Sequence, residues 1–112
     1  MIYYALELLF LMIVGHFLCD FALQSNEMAI GKGSFRLRHL NVPWYYWMFA
    51  HCMIHAGAVY LITQSLVLGV SECVLHFFID YSKCNRYTDI HQDQMLHITC
   101  KILYIVWIWS IV

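Results

Sequence analysis

Apolar residues fill four long stretches of this chain, and polar residues interrupt them at intervals of four. The first stretch, IYYALELLFLMIVGHFLCDFAL, covers residues 2–23. The second, WYYWMFAHCMIHAGAVYLIT, covers 44–63 and opens just after Pro43, a helix-start signal. The third runs from about Leu66 to Lys83 and the fourth from about Gln92 to Val112. Each is close to the ~20 residues that a helix needs to cross a bilayer core. Because unpaired backbone groups are not tolerated in lipid, each stretch is predicted to be a helix. The connections are a polar loop over 25–43, a tight TQS turn, and a shorter polar loop over 84–91. The expected fold is therefore one all-α integral membrane domain over 1–112, a four-helix transmembrane bundle.

The interruptions form ladders. The first stretch carries His16, Asp20 and Gln24, and the second His51 and His55. The third carries Glu72, His76 and Asp80, followed by Lys83; the fourth carries Asp93, Gln94 and His97, with Lys101 one turn on. Spacing of four keeps each ladder on one helical face, so every helix can present its ladder to the interior. At ~1.5 Å of rise per residue, His16, His51, His76 and His97 all fall roughly 9 to 12 Å below the same boundary. Asp20, Asp80 and Asp93 form a shallower layer; His55, Glu72 and Lys101 form a deeper one. Four helices that alternate in direction still agree in depth, which predicts one shared site.

Composition sharpens this picture. The chain is 62% hydrophobic and only 12% charged, about half the charge of a soluble domain. A soluble chain of 112 residues could not bury so much apolar surface. A net charge of -1 speaks against nucleic-acid binding, which needs a basic face. The five cysteines lie in or beside apolar segments without a CxxC pair, and read as small packing residues. The first stretch lacks a basic leader, so no cleavable signal peptide is expected. Lys32, Arg36 and Arg38 in one loop, with Lys83 and Arg86 by the other, give the two longer connections the positive charge. The positive-inside rule then puts both loops in the cytoplasm and both termini in the periplasm. The shared site falls in the cytoplasmic half.

Chemistry follows from the cost of the buried charges. A bare carboxylate at membrane depth costs at least ~2.5 to 3.5 kcal/mol. Neutral imidazole and carboxylate are the usual ligands of a divalent metal, which would offset most of that cost. The expected ligands are His16, Asp20, His51, His55, Glu72, His76, Asp80 and His97, holding one or two ions, zinc first. A metal-free polar network is the structural rival. Asp93 and Gln94 lie near the surface, where capping competes with ligation. His39 and His91 fall in loops and carry no assignment.

Taken together, HxxxDxxxQ, HxxxH, ExxxHxxxDxxK and the terminal DQMLH resemble a family, the domain of unknown function 3307. The matching residues are His16, Asp20 and Gln24; His51 and His55; Glu72, His76, Asp80 and Lys83; and Asp93, Gln94 and His97. The resemblance implies a small phage or bacterial inner-membrane protein and names no activity. In style the ladders are also similar to membrane-bound metal-dependent hydrolases.

Two functions are expected from the residues. One is a metal-dependent hydrolase, in which Glu72 serves as general base while Gln24 and Lys83 orient or stabilise an anion. The basic loops, Arg36, Arg38 and Arg86 among them, would favour an anionic lipid or a phosphate-containing substrate. The other is a non-enzymatic, metal-stabilised membrane module that works by self-association or on a host membrane protein. Ion transport is a weaker expectation, because the polar ladder stops near mid-span.

Overall fold

The computed structural model describes residues 2–33 and 41–111. Arg36, Arg38 and His39 lie outside the described residues. Those described form helices, α1 (Ile2–Phe17), α2 (Asn26–Gly31), α3 (Trp44–Thr63), α4 (Leu66–Cys84) and α5 (Ile90–Ile111). Helix α1 runs directly into a π-helical turn over Leu18–Ala22. There the Leu23 amide donates to the Leu18 carbonyl at 2.8 Å, five residues back. The chain leaves α geometry where Asp20 enters the interior, and such single π turns gather at functional positions.

The helix ends are written in local chemistry. The Ser25 hydroxyl accepts from the Met28 amide at 3.1 Å and starts α2, a helix inside the loop that the sequence alone marks as polar coil. The signal for it was the Ser25-Asn26-Glu27 start, a capping residue with an acid in the first turn. Ser65 caps α4 through the Leu68 amide at 3.3 Å. Asp89 and Gln92 cap α5 reciprocally, at 2.8 and 3.0 Å, which moves its start back to Ile90. Between α3 and α4 the chain reverses at Gln64, whose φ of 55° is left-handed. Its amide closes on the Tyr60 carbonyl at 2.7 Å.

The long helices form a ring of neighbours, α1 beside α3, α3 beside α4, α4 beside α5 and α5 beside α1, while α2 packs on α3. Helices α3 and α4 approach so closely at Gly69 that a Cβ there would stand 3.2 Å from both the Ala56 carbonyl and the Tyr60 Cβ. Gly31 is tighter still: an added Cβ would lie 2.2 Å from Trp47 Cδ1. Gly57 faces open space. Gly31→Ala is therefore expected to cost about 1–3 kcal/mol through overpacking. Gly57→Ala should be neutral, or stabilising by up to ~1 kcal/mol through helix propensity. Thermal unfolding in detergent checks the pair, and equal midpoints for the two variants would contradict the docking of α2 on Trp47.

The interior is divided along its length. One end is an apolar cluster of Met12, Val59, Leu68 and Tyr104. The other is polar, and includes five histidines, four carboxylates and two lysines buried together. Large apolar side chains such as Phe10, Phe49, Val70, Phe78 and Leu103 point outward. Two segments are long and apolar enough to cross a membrane, Ile2–Ala22 and Ile90–Ile111. Helices α3 and α4 match them in length, but α3 is diluted by two histidines and by the aromatic run Trp44, Tyr45, Tyr46 and Trp47, and α4 carries Glu72, Asp80 and Lys83.

Candidate metal centre

Each long helix delivers its ladder to the same volume. His16 comes from α1, Asp20 from the π turn, His51 and His55 from α3, His76 and Asp80 from α4, and Asp93 and His97 from α5. All eight are at most 4% exposed. The imidazoles pack ring on ring: His55 and His76 stack at 3.7 Å between centroids, and His76 and His97 at 4.2 Å. His16 lies 4.9 Å from His97, and His51 4.9 Å from His76.

Their Nε2 atoms turn inward. Asp20 Oδ1 lies 3.1 Å from His51 Nε2, 3.2 Å from His55 Nε2 and 3.9 Å from His76 Nε2. One donor atom from each of these four residues lies within 4.8 Å of the other three. Donors on one tetrahedral zinc ion, bound at ~2.0–2.1 Å, stand roughly 3.3 Å apart. Among the described residues, His76 Nε2 is buried without a hydrogen-bond partner, 3.6 Å from Asp80 Oδ1. An orphaned imidazole nitrogen facing carboxylate oxygens is the arrangement a cation completes, so these residues fit a divalent ion.

The carboxylates differ in their partners, and here the structure departs from the sequence-based picture. Glu72 receives Lys101 at 2.5 Å on Oε1 and Tyr104 at 2.9 Å on Oε2. Asp80 is paired with Lys32, and Asp93 with Lys83 at 2.7 Å. Asp20 has no lysine; its Oδ2 accepts from Gln94 at 2.7 Å. Much of the charge compensation expected from metal is thus supplied by three ammonium groups. Lys32 carried no signal for this in the sequence, since it follows α2 in a loop; Lys101 showed only as a charge within a span.

The remaining expected residues fall as follows. Gln24 donates at 3.0 Å to the backbone carbonyl of Asp20, and its Oε1 is buried without a partner among the described residues. Lys83 is 24% exposed along its side chain and marks the edge of the polar core. Gln94, whose role sequence left between capping and ligation, ties three groups together. It meets His16 Nε2 at 3.0 Å and donates to Asp20 and to Asp93. His91 is exposed.

With this geometry in place, comparison with known proteins adds one match. A family model described as "Protein of unknown function (DUF3307)" covers residues 8–112. No curated protein and no solved structure matches the chain.

Proposed function

We propose that this chain, which belongs to the DUF3307 family, is an integral membrane protein that binds one divalent cation inside a four-helix transmembrane bundle. Zinc is the first candidate, and Asp20, His51, His55 and His76 are its ligands. The observation that carries this reading is the convergence of three Nε2 atoms on the one buried carboxylate that lacks a lysine. Charge supports a single ion. Among the described residues, Asp20, Glu72, Asp80 and Asp93 face Lys32, Lys83 and Lys101, which leaves one negative charge in excess when the imidazoles are neutral. A second dication would leave the low-dielectric interior strongly positive.

Four protein donors, nearly free of solvent, make a closed site, and closed sites are structural. The ion then ties the π turn after α1 to α3 and α4, and the protein works as a membrane module through a protein partner or a second copy. The test is metal content per chain after purification and dialysis. One tightly held ion supports the reading; a folded protein that never retains metal sinks it.

The membrane arrangement is the second part of the proposal. All four long helices span, the basic connections face the cytoplasm of a bacterial host, and the termini and the α3–α4 turn face the periplasm. Apolar side chains on the outside and charges within support it. In a background without the native cysteines, a cysteine at Gln64 should react with an impermeant maleimide from outside intact spheroplasts. One at Tyr87 should react only after lysis. Labelling of both from one side would refute the arrangement.

One observation favours the hydrolase. Asp20, Asp93 and His97 form another donor group, and Asp93 Oδ1 is buried without a hydrogen bond. Sharing Asp20 between two ions would give a two-metal site of the hydrolytic kind, able to supply hydroxide at neutral pH, with Lys83 near the exposed edge for an anionic lipid-type or phosphate substrate. Two ions per chain, with chelator-sensitive hydrolysis of anionic lipid in vesicles, would establish it; one ion and no turnover would not.

A further inference from the structure

Glu72 stands apart from the other candidate ligands. Its two oxygens are already engaged by Lys101 at 2.5 Å and Tyr104 at 2.9 Å. A metal at the group formed by Glu72, His76 and His97 would have to share a Glu72 oxygen with the Lys101 ammonium or the Tyr104 hydroxyl. On its free side, the same Oε1 lies 3.3 Å from His76 Nδ1 and 3.9 Å from His55 Nδ1. The opposite nitrogen of His76 has no hydrogen-bond partner and faces the Asp20–Asp80 side.

A neutral imidazole carries one proton, and a carboxylate beside one nitrogen keeps that proton there. We infer that Glu72, pinned by Lys101 and Tyr104, is a positioning residue that holds His76 as the Nδ1–H tautomer, with its Nε2 lone pair turned toward the cation position. This rests on the reading of the site as a cation centre and deepens it. The carboxylate–imidazole pair fixes the tautomer and the orientation of the ring whose other nitrogen would bind metal. It also accounts for Lys101, the largest fully buried side chain among those described, whose ammonium group sets the charge and the rotamer of Glu72 from the apolar side. The glutamate is thereby assigned a place behind a ligand instead of a place on the metal or on a substrate.

The decisive experiment is nitrogen NMR of histidine-labelled protein in detergent, first without metal. The His76 signal should report a proton on Nδ1 and a bare Nε2. A proton on Nε2 in the wild type overturns the inference, and this outcome needs no variant to fold. The charge-conserving double variant Glu72→Gln with Lys101→Met should lose the tautomer preference. Its zinc affinity should fall 10–100-fold, the usual cost of losing a ligand's outer partner, whereas Lys101→Arg should keep both. Unchanged affinity and tautomer in the double variant also overturn it. Failure of the wild type to bind zinc would instead strike the cation reading, because the tautomer is read in the metal-free state.

Discussion

Replacing His76 by alanine is expected to strip the metal from the purified protein. His76 is fully buried, its ring is stacked between those of His55 and His97, and its Nε2 is one of the cluster atoms buried without a hydrogen bond among the described residues. His97, stacked on its other face, is already engaged with Asp80 at 3.2 Å. The affinity should drop by more than the 10–100-fold that loss of an outer partner costs. Elemental analysis after dialysis against a weak chelator would then find near-stoichiometric metal in the wild type and almost none in the variant. His91→Ala, at an exposed position of α5, should leave the content unchanged. Because alanine also opens a cavity, His76→Gln provides a fuller side chain for the same measurement. Full retention of metal in both His76 variants would remove His76 from the centre.

The second large effect is on stability. Lys101 and Glu72 are each 1% exposed, so Lys101→Met leaves a carboxylate buried without its ammonium partner. Breaking a buried pair in this way typically costs about 3–5 kcal/mol, because the surviving charge is left uncompensated. Adding Glu72→Gln to Lys101→Met removes that charge and should recover most of the loss. Unfolding midpoints of wild type, both single variants and the double variant in one detergent give the coupling directly. If Lys101→Met unfolds like the wild type, Glu72 is not held as an anion by Lys101.

The compensation of charge is where sequence and structure diverge most. Spacing of four was enough to place His16 with Asp20, His51 with His55, and Glu72 with His76 and Asp80 on single helical faces. It could not assign a counterion to each acid, since Lys32 meets Asp80 across 48 residues of chain and Lys101 meets Glu72 across 29. From the sequence, Asp93 and Gln94 lie so near the surface that capping competes with ligation; packing against α1 and α4 buries Asp93 fully and gives Gln94 three partners. Gln24 shows the reverse. It continues the ladder of His16 and Asp20, yet the π turn intervenes, and its amide folds back onto the Asp20 carbonyl.

By itself the sequence determined that this chain is helical, that its polar groups lie on single faces, and that those faces hold metal-competent side chains in an apolar framework. Periodicity is local, and a helix converts it into a face without help from the rest of the molecule. Which acids keep a lysine and which one is left to the imidazoles was decided only by tertiary packing. That selection depends on where helices distant in sequence cross and on which charges the low-dielectric interior forces into contact.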